Sequence, residues 1–213
     1  MTQSLRLLQH SLTITALFLA VATAAPATAQ STKPITPTTW QSLLAEPNPT
    51  PAVGAAKGDV TIVEFFDYNC PGCRALDPQM RNLLTKDPGV RVIRKDWPVF
   101  GDVSTYAAYC TYAAAKEGKY TLAHDALINS KQDLDKKEDV RNVMQAAGFD
   151  MKKIDTDIAQ HEKEYSAIIA RNEQDTAALG VKGTPGVVID GQVVSGNVDY
   201  ARLVSLVAAA RKH

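Results

Sequence analysis

Val60-Thr-Ile-Val-Glu-Phe-Phe-Asp-Tyr-Asn-Cys70-Pro-Gly-Cys73-Arg74 joins the strongest buried-strand pattern of the chain to its only closely spaced pair of cysteines. Residues 60–66 are nearly all β-branched or aromatic, the composition of a strand covered on both faces, and Asp67 to Asn69 supply the polar break that ends it. Helix formers follow from Arg74. The cysteines therefore stand at a helix start, where unpaired backbone N–H groups and the positive end of the macrodipole favour a thiolate over a thiol. Cys70 is expected to be the exposed nucleophile. Cys73, one helical turn on, is then the resolving thiol that attacks a mixed disulfide on Cys70. Pro71 suits a first helical position, where its missing N–H is no loss, and Gly72 leaves room for a substrate chain. The alternative for the pair is a structural disulfide.

Composition bounds what surrounds this stretch. A chain of 213 residues with 45% hydrophobic content can bury a good core without covalent staples, and 3 cysteines are too few for a disulfide framework. A formal net charge of zero argues against a general nucleic-acid or anionic-membrane partner. At the N-terminus, Arg6 precedes an apolar run from Leu12 to Ala25, followed by Ala27-Thr28-Ala29. That is the pattern of an export signal over residues 1–29 with cleavage before Gln30. The alternative is an uncleaved anchor, but the run falls short of the ~20 apolar residues that span a bilayer. Export places the cysteine pair in an oxidising compartment, with no membrane span left after cleavage.

Residues 30–57 carry Pro34, Pro37, Pro47, Pro49 and Pro51 and read as an extended segment, with a short helix around Trp40 to Ala45. Pro78 falls inside the helical pattern Arg74 to Lys86, where it kinks the helix rather than ending it. Val90 to Lys95 is a second strand, stopped by Trp97-Pro98. Residues 103–179 show no strand. Their helices are expected over Ser104 to Glu117, Thr121 to Ser130 and Glu138 to Ala147, with a fourth capped by Asp150 that continues with breaks to Leu179. The charged run Lys131 to Asp139 is a solvated connection. Strands return at Gly186 to Asp190 and Gln192 to Ser195, joined by the tight Asp190-Gly191 turn, and a helix starting at Asn197 or Asp199 runs through Ala210. Strand-bearing halves at 58–102 and 180–213 thus flank a helical insertion at 103–179, which implies an α/β fold with one mixed sheet completed by distant segments.

From about residue 58 onward the chain resembles the DsbA-like thiol-disulfide oxidoreductases of the thioredoxin superfamily. The resemblance rests on Glu64-Phe-Phe-Asp-Tyr-Asn-Cys-Pro-Gly-Cys73, on the helical insertion, and on Val181-Lys-Gly-Thr184-Pro185 leading into the closing hairpin. It implies a thioredoxin fold, a central mixed sheet flanked by helices, with an inserted α-helical domain. It also implies that Pro185 is cis and faces the cysteines. In that geometry the Thr184 backbone can pair with an extended substrate peptide; without the resemblance, Thr184-Pro185 reads as an ordinary loop. The Pro71-Gly72 dipeptide lacks the histidine that the family's strongest oxidants carry at the second position. The potential is therefore expected below the oxidising end of a range of roughly −270 to −120 mV.

Glu64 interrupts an apolar strand, where a carboxylate must be paired or protonated and burial raises its pKa. The resemblance makes it a proton acceptor for Cys73; the alternative is a strand-edge glutamate reaching solvent. Cys110, among aromatic and small residues, reads as a buried inert thiol rather than a regulatory one. No cofactor is expected, and no metal, because His124, His161 and His213 lack paired spacing. The leading expectation is an exported, periplasmic enzyme exchanging disulfides with cysteine-containing proteins and reset by a membrane redox partner. Threonine before the cis-proline resembles reductases and isomerases, whereas the monomer-like N-terminus resembles oxidases, so the direction stays open. The competing readings are a peptide-binding or chaperone module and a copper-trafficking partner using the thiolate pair.

Overall fold

A computed structural model describes residues 32–45, 52–195 and 198–212. The expected leader at 1–29, residues 46–51 and Asn197 lie outside them. In chain order the elements are β1 (Thr32–Pro34), α1 (Pro37–Ala45), β2 (Val53–Gly54), β3 (Val60–Phe66), α2 (Pro71–Lys86) and β4 (Val90–Asp96). Next come the helices α3 (Asp102–Lys116), α4 (Tyr120–Ile128), α5 (Lys137–Ala146) and α6 (Met151–Leu179). β5 (Gly186–Ile189), β6 (Gln192–Val194) and α7 (Tyr200–Ala210) close the chain.

The strands form a single sheet in the order β1-β6-β5-β3-β4-β2, with β3 and β4 parallel and every other neighbour antiparallel. The strand quoted at the outset lies in the middle. Glu64 is paired with Arg94 on one side and with Val187 on the other, so the backbone at Glu64 is inside the sheet and not at its edge. Side chains alternate across the sheet as the strand period requires. Val60, Ile62, Val90, Val92, Val187 and Ile189 pack with Leu76, Met80 and Leu83 of α2 and with Leu203 and Val207 of α7. Val63, Phe65, Ile93 and Val188 pack on the opposite face with Leu43 of α1 and Leu179 of α6. A further cluster runs from Phe66, Tyr68 and both active-stretch cysteines into α3, α4 and α5, so the helical block shares a core with the cysteine loop.

Two expectations are corrected. The segment read as merely extended contributes the edge strands β1 and β2, which makes six strands rather than four. Both are too short to carry an alternating pattern, and β1 is fully exposed, so only their partners β6 and β4 define them. The fourth insertion helix, expected to be broken, runs without interruption through 29 residues. Its buried positions Ile154, Tyr165, Ile168, Asn172, Thr176 and Leu179 keep helical spacing beneath a charged outer face, which lets it continue where hydrophobicity is low. Asp150 caps it through Lys152 N–H, and Gly180, at φ 74°, ends it. Likewise α2 continues through Pro78 to Lys86. In the hairpin turn Asp190 and Gly191 both take positive φ, 42° and 76°, the geometry that matches strand twist. No helix among the described residues is long and apolar enough to cross a membrane.

Candidate active site

β3 delivers the chain into a turn built on Asp67. The Asp67 carboxylate accepts hydrogen bonds from Asn69 N–H at 2.7 Å, Ser104 Oγ at 2.7 Å and Phe100 N–H at 3.0 Å, while its carbonyl accepts from Cys70 N–H at 3.2 Å. A side chain read only as a strand break thus fastens the cysteine loop to the start of α3. Cys70 is the N-cap of α2, and its Sγ accepts from Cys73 N–H at 3.4 Å in the place a serine or aspartate oxygen would take. Pro71 follows at the first helical position, as expected.

Thr184–Pro185 is a cis peptide, and Cys70 Sγ lies 3.2 Å from the Thr184 carbonyl oxygen, to which the thiol donates. The fold therefore brings together residues separated by the whole helical block. Cys70 is less exposed than expected, at 4% against 1% for Cys73, because the Thr184-Pro185 loop lies over it. Gly72 also differs from its reading. A Cβ there would lie 2.9 Å from Pro185 Cδ and 3.6 Å from Cys70 Sγ, so its missing side chain first of all makes room for Pro185. Lys182-Gly183-Thr184 leads into a strand, not a helix, and has no phosphate-binding helix start behind it.

The two thiols are driven apart. Hydrogen bonding from the Cys73 thiol, helped by the N–H groups of Gly72 and Cys73, lowers Cys70 to about 6 against the opposing effect of burial. The same bond, then burial, pushes Cys73 far above the ordinary thiol range. Cys110 is fully buried and pushed up to about 12 by desolvation, which makes it a packing residue.

Glu64 is 2% exposed and faces α2, so the solvent-reaching alternative fails. Burial raises it to about 7; Arg94 opposes the rise and the charge of Asp77 adds to it. Its contact to Arg94, Oε2 to Nε, is 3.5 Å. Arg94 Nη2 donates to Asp77 Oδ1 at 3.1 Å, His124 Nε2 donates to the same oxygen at 3.2 Å, and Tyr68 O–H reaches His124 Nδ1 at 3.1 Å. Asp77 and Arg94 were not singled out from sequence, Tyr68 was read only as part of the break after β3, and His124 only as a histidine without a metal-ligating neighbour. A signal for two of them was present: Arg94 is a second charge inside an apolar strand, and Asp77 falls on the buried stripe Cys73, Leu76, Asp77, Met80 and Leu83 of α2.

Grooves open on both sides of the sulfur. One is lined by Asn69, Pro71, Arg74, Phe100, Val103 and Leu134, and the other by Gly72, Gln79, Thr184, Pro185 and Tyr200.

A model of the family described as thioredoxin matches residues 46–209. A thioredoxin-like oxidoreductase from Silicibacter pomeroyi is 35% identical with a TM-score of 0.76, covering 81% of this chain and 98% of its own. The thiol-disulfide exchange protein alpha-DsbA2 from Wolbachia pipientis is 25% identical with a TM-score of 0.68, covering 75% of this chain and 86% of its own. Among curated proteins, the Na(+)/H(+) antiporter NhaA 3 of Salinispora tropica is 27% identical over 160 residues. The alignment takes in 74% of this chain but only 24% of that protein, so the chain spans about a quarter of such relatives. With the family model over most of its length and the same fold in both solved structures, the chain belongs to the thioredoxin family, and within it is similar to DsbA-like thiol-disulfide exchange proteins.

Proposed function

We propose that this chain is an exported, periplasmic enzyme that exchanges disulfides with cysteine-containing proteins through Cys70 and Cys73. The observation that carries the reading is the asymmetry of the pair: Cys70 Sγ caps a helix and is lowered to about 6, beside a Cys73 thiol held protonated. The Cys70 thiolate attacks one sulfur of a substrate disulfide, a Cys70–substrate bond forms, and the other substrate sulfur leaves as a thiolate and takes a proton from solvent. Cys73 then gives its proton to ionised Glu64, attacks Cys70 Sγ and releases the second substrate sulfur. The substrate gains two electrons, and the protein is left with the Cys70–Cys73 disulfide. Run in reverse, the same steps oxidise a substrate dithiol. Thr184, with its backbone beside Cys70, and Pro185 dock an extended peptide in strand fashion. The protein works as a monomer, and a membrane redox partner resets the pair.

Equilibration of the purified protein in glutathione buffers, with the cysteines read by alkylation, tests this. Cys70→Ser is expected to abolish exchange and Cys73→Ser to accumulate a mixed disulfide on Cys70. A protein that never cycles between dithiol and disulfide refutes the enzyme reading, and a potential near −270 mV refutes the oxidising direction.

A further inference from the structure

Cys73, Asp77 and Arg81 follow one another at single-turn intervals along α2, so the resolving cysteine is stacked on a buried carboxylate that the proposed exchange does not use. Asp77 is 2% exposed. Oδ1 takes Arg94 Nη2 and His124 Nε2, and Oδ2 meets Arg81 Nη1 at 2.5 Å. Because an ionised carboxylate only accepts, His124 must present Nε2–H to it and receive the Tyr68 hydroxyl at Nδ1. A neutral imidazole satisfies both contacts, and burial, with Arg94 close by, lowers His124 to about 4. Burial acts to raise Asp77, but the His124 N–H and the charges of Arg94 and Arg81 outweigh it and hold its carboxyl below the usual value.

Arg94 thus serves two acids, and its contact to Asp77 is the shorter, 3.1 Å against 3.5 Å to Glu64. We propose that Asp77 is a positioning residue for the exchange: by sharing the Arg94 guanidinium it withholds countercharge from Glu64 and keeps that carboxyl able to take and return the Cys73 proton. The other groups acting on Glu64 do not supply the missing charge. From α2 come Asp77 and the two cysteines and from α4 Tyr120, while neutral His124 and, behind it, Tyr68 are bonded in a chain to Asp77. β5 contributes Val187 alongside, and Asp96 lies at the end of β4. Lys95 directs its ammonium to Asp175 of α6, 3.2 Å away. Removing the Asp77 charge acts on Glu64 twice in one direction, since a nearby like charge disappears and the Arg94 guanidinium no longer divides its charge with Asp77.

The inference rests on the exchange reading above, and its test separates the two. In the reduced full-length protein, with ¹³C-carboxyl-labelled glutamate and the Glu64 signal assigned through Glu64→Gln, NMR gives the Glu64 midpoint directly. Asp77→Asn is expected to lower that midpoint by about one pH unit, the scale of one charge within a few ångströms, and Asp77→Glu to restore it. The pH profile of the resolving step should move by the same amount, with Cys70 alkylation as the reference; a merely structural loss would slow both. Arg81→Gln, which leaves Asp77 less neutralised, should move the midpoint upward, and it decides the matter if Asp77→Asn does not fold. An unmoved Glu64 midpoint with Cys70-dependent exchange intact overturns this inference alone. Exchange that survives Cys70→Ser overturns the function on which it rests.

Discussion

In Cys70 a sulfur fills the helix-start position that serine, threonine and aspartate oxygens usually occupy, and the helix N–H groups hold it as an anion. At about 6, the thiol stays well above the most acidic CxxC cysteines known, near 3.5, which supports a potential below the oxidising extreme. The linkage has a definite sign. Cys70 is lowered from 9.0, so its thiolate stabilises the reduced protein fully above pH 9.0, and that contribution is lost as the pH falls to about 6. Reduction therefore takes up two protons below about pH 6 but only one above, since Cys73 stays protonated. The measured potential should fall by about 59 mV per pH unit below the break and by about 30 mV above it. An unbroken slope of about 59 mV per pH unit from pH 5 to 8 would show an unshifted Cys70. The sequence revealed this residue because a helix start leaves its mark within a few positions. Arg94 and Asp77 went unread because a buried charge declares only that it needs a partner, and the partner is brought by another element.

At the scale of elements, α2 carries Cys70 at its cap, Cys73 in its first turn and Asp77 in its second, all towards Glu64 of β3. The turn before it depends on one carboxylate. Asp67→Ala would leave the Asn69 and Phe100 N–H groups and the Ser104 hydroxyl without their acceptor, at a cost on the order of 3 kcal/mol. Urea unfolding of the variant measures this, and a loss below about 1 kcal/mol would mean that water replaces the carboxylate. Most element positions were legible because caps and breakers are local: the helices expected to end at Glu117 and Ala147 stop within a residue of those positions, and Asp150 caps α6 as read. The continuity of α6 was not legible, since what carries it through its charged middle is packing of Tyr165 and Ile168 against α3.

For the molecule as a whole, the helical block is tied into the sheet. Asn172 of α6 donates to the Asp96 carbonyl at 2.9 Å, Asp175 pairs with Lys95, and the cluster around Phe66 and Tyr68 extends into α3, α4 and α5. The block and the sheet are expected to unfold as one, with far-UV and near-UV circular dichroism transitions coinciding in urea. Separated transitions would show that residues 103–179 fold on their own. The order of strands and helices was readable because each long element has its own period. The sheet's outer strands were not, since β1 and β2 exist only through their partners. The contact between Gly72 and Pro185 reaches further than either residue. A side chain placed at 72 must press on the ring of Pro185, so a change made there to retune the thiol also shifts the loop lying against Cys70, and a lineage or a library that alters one has already disturbed the other.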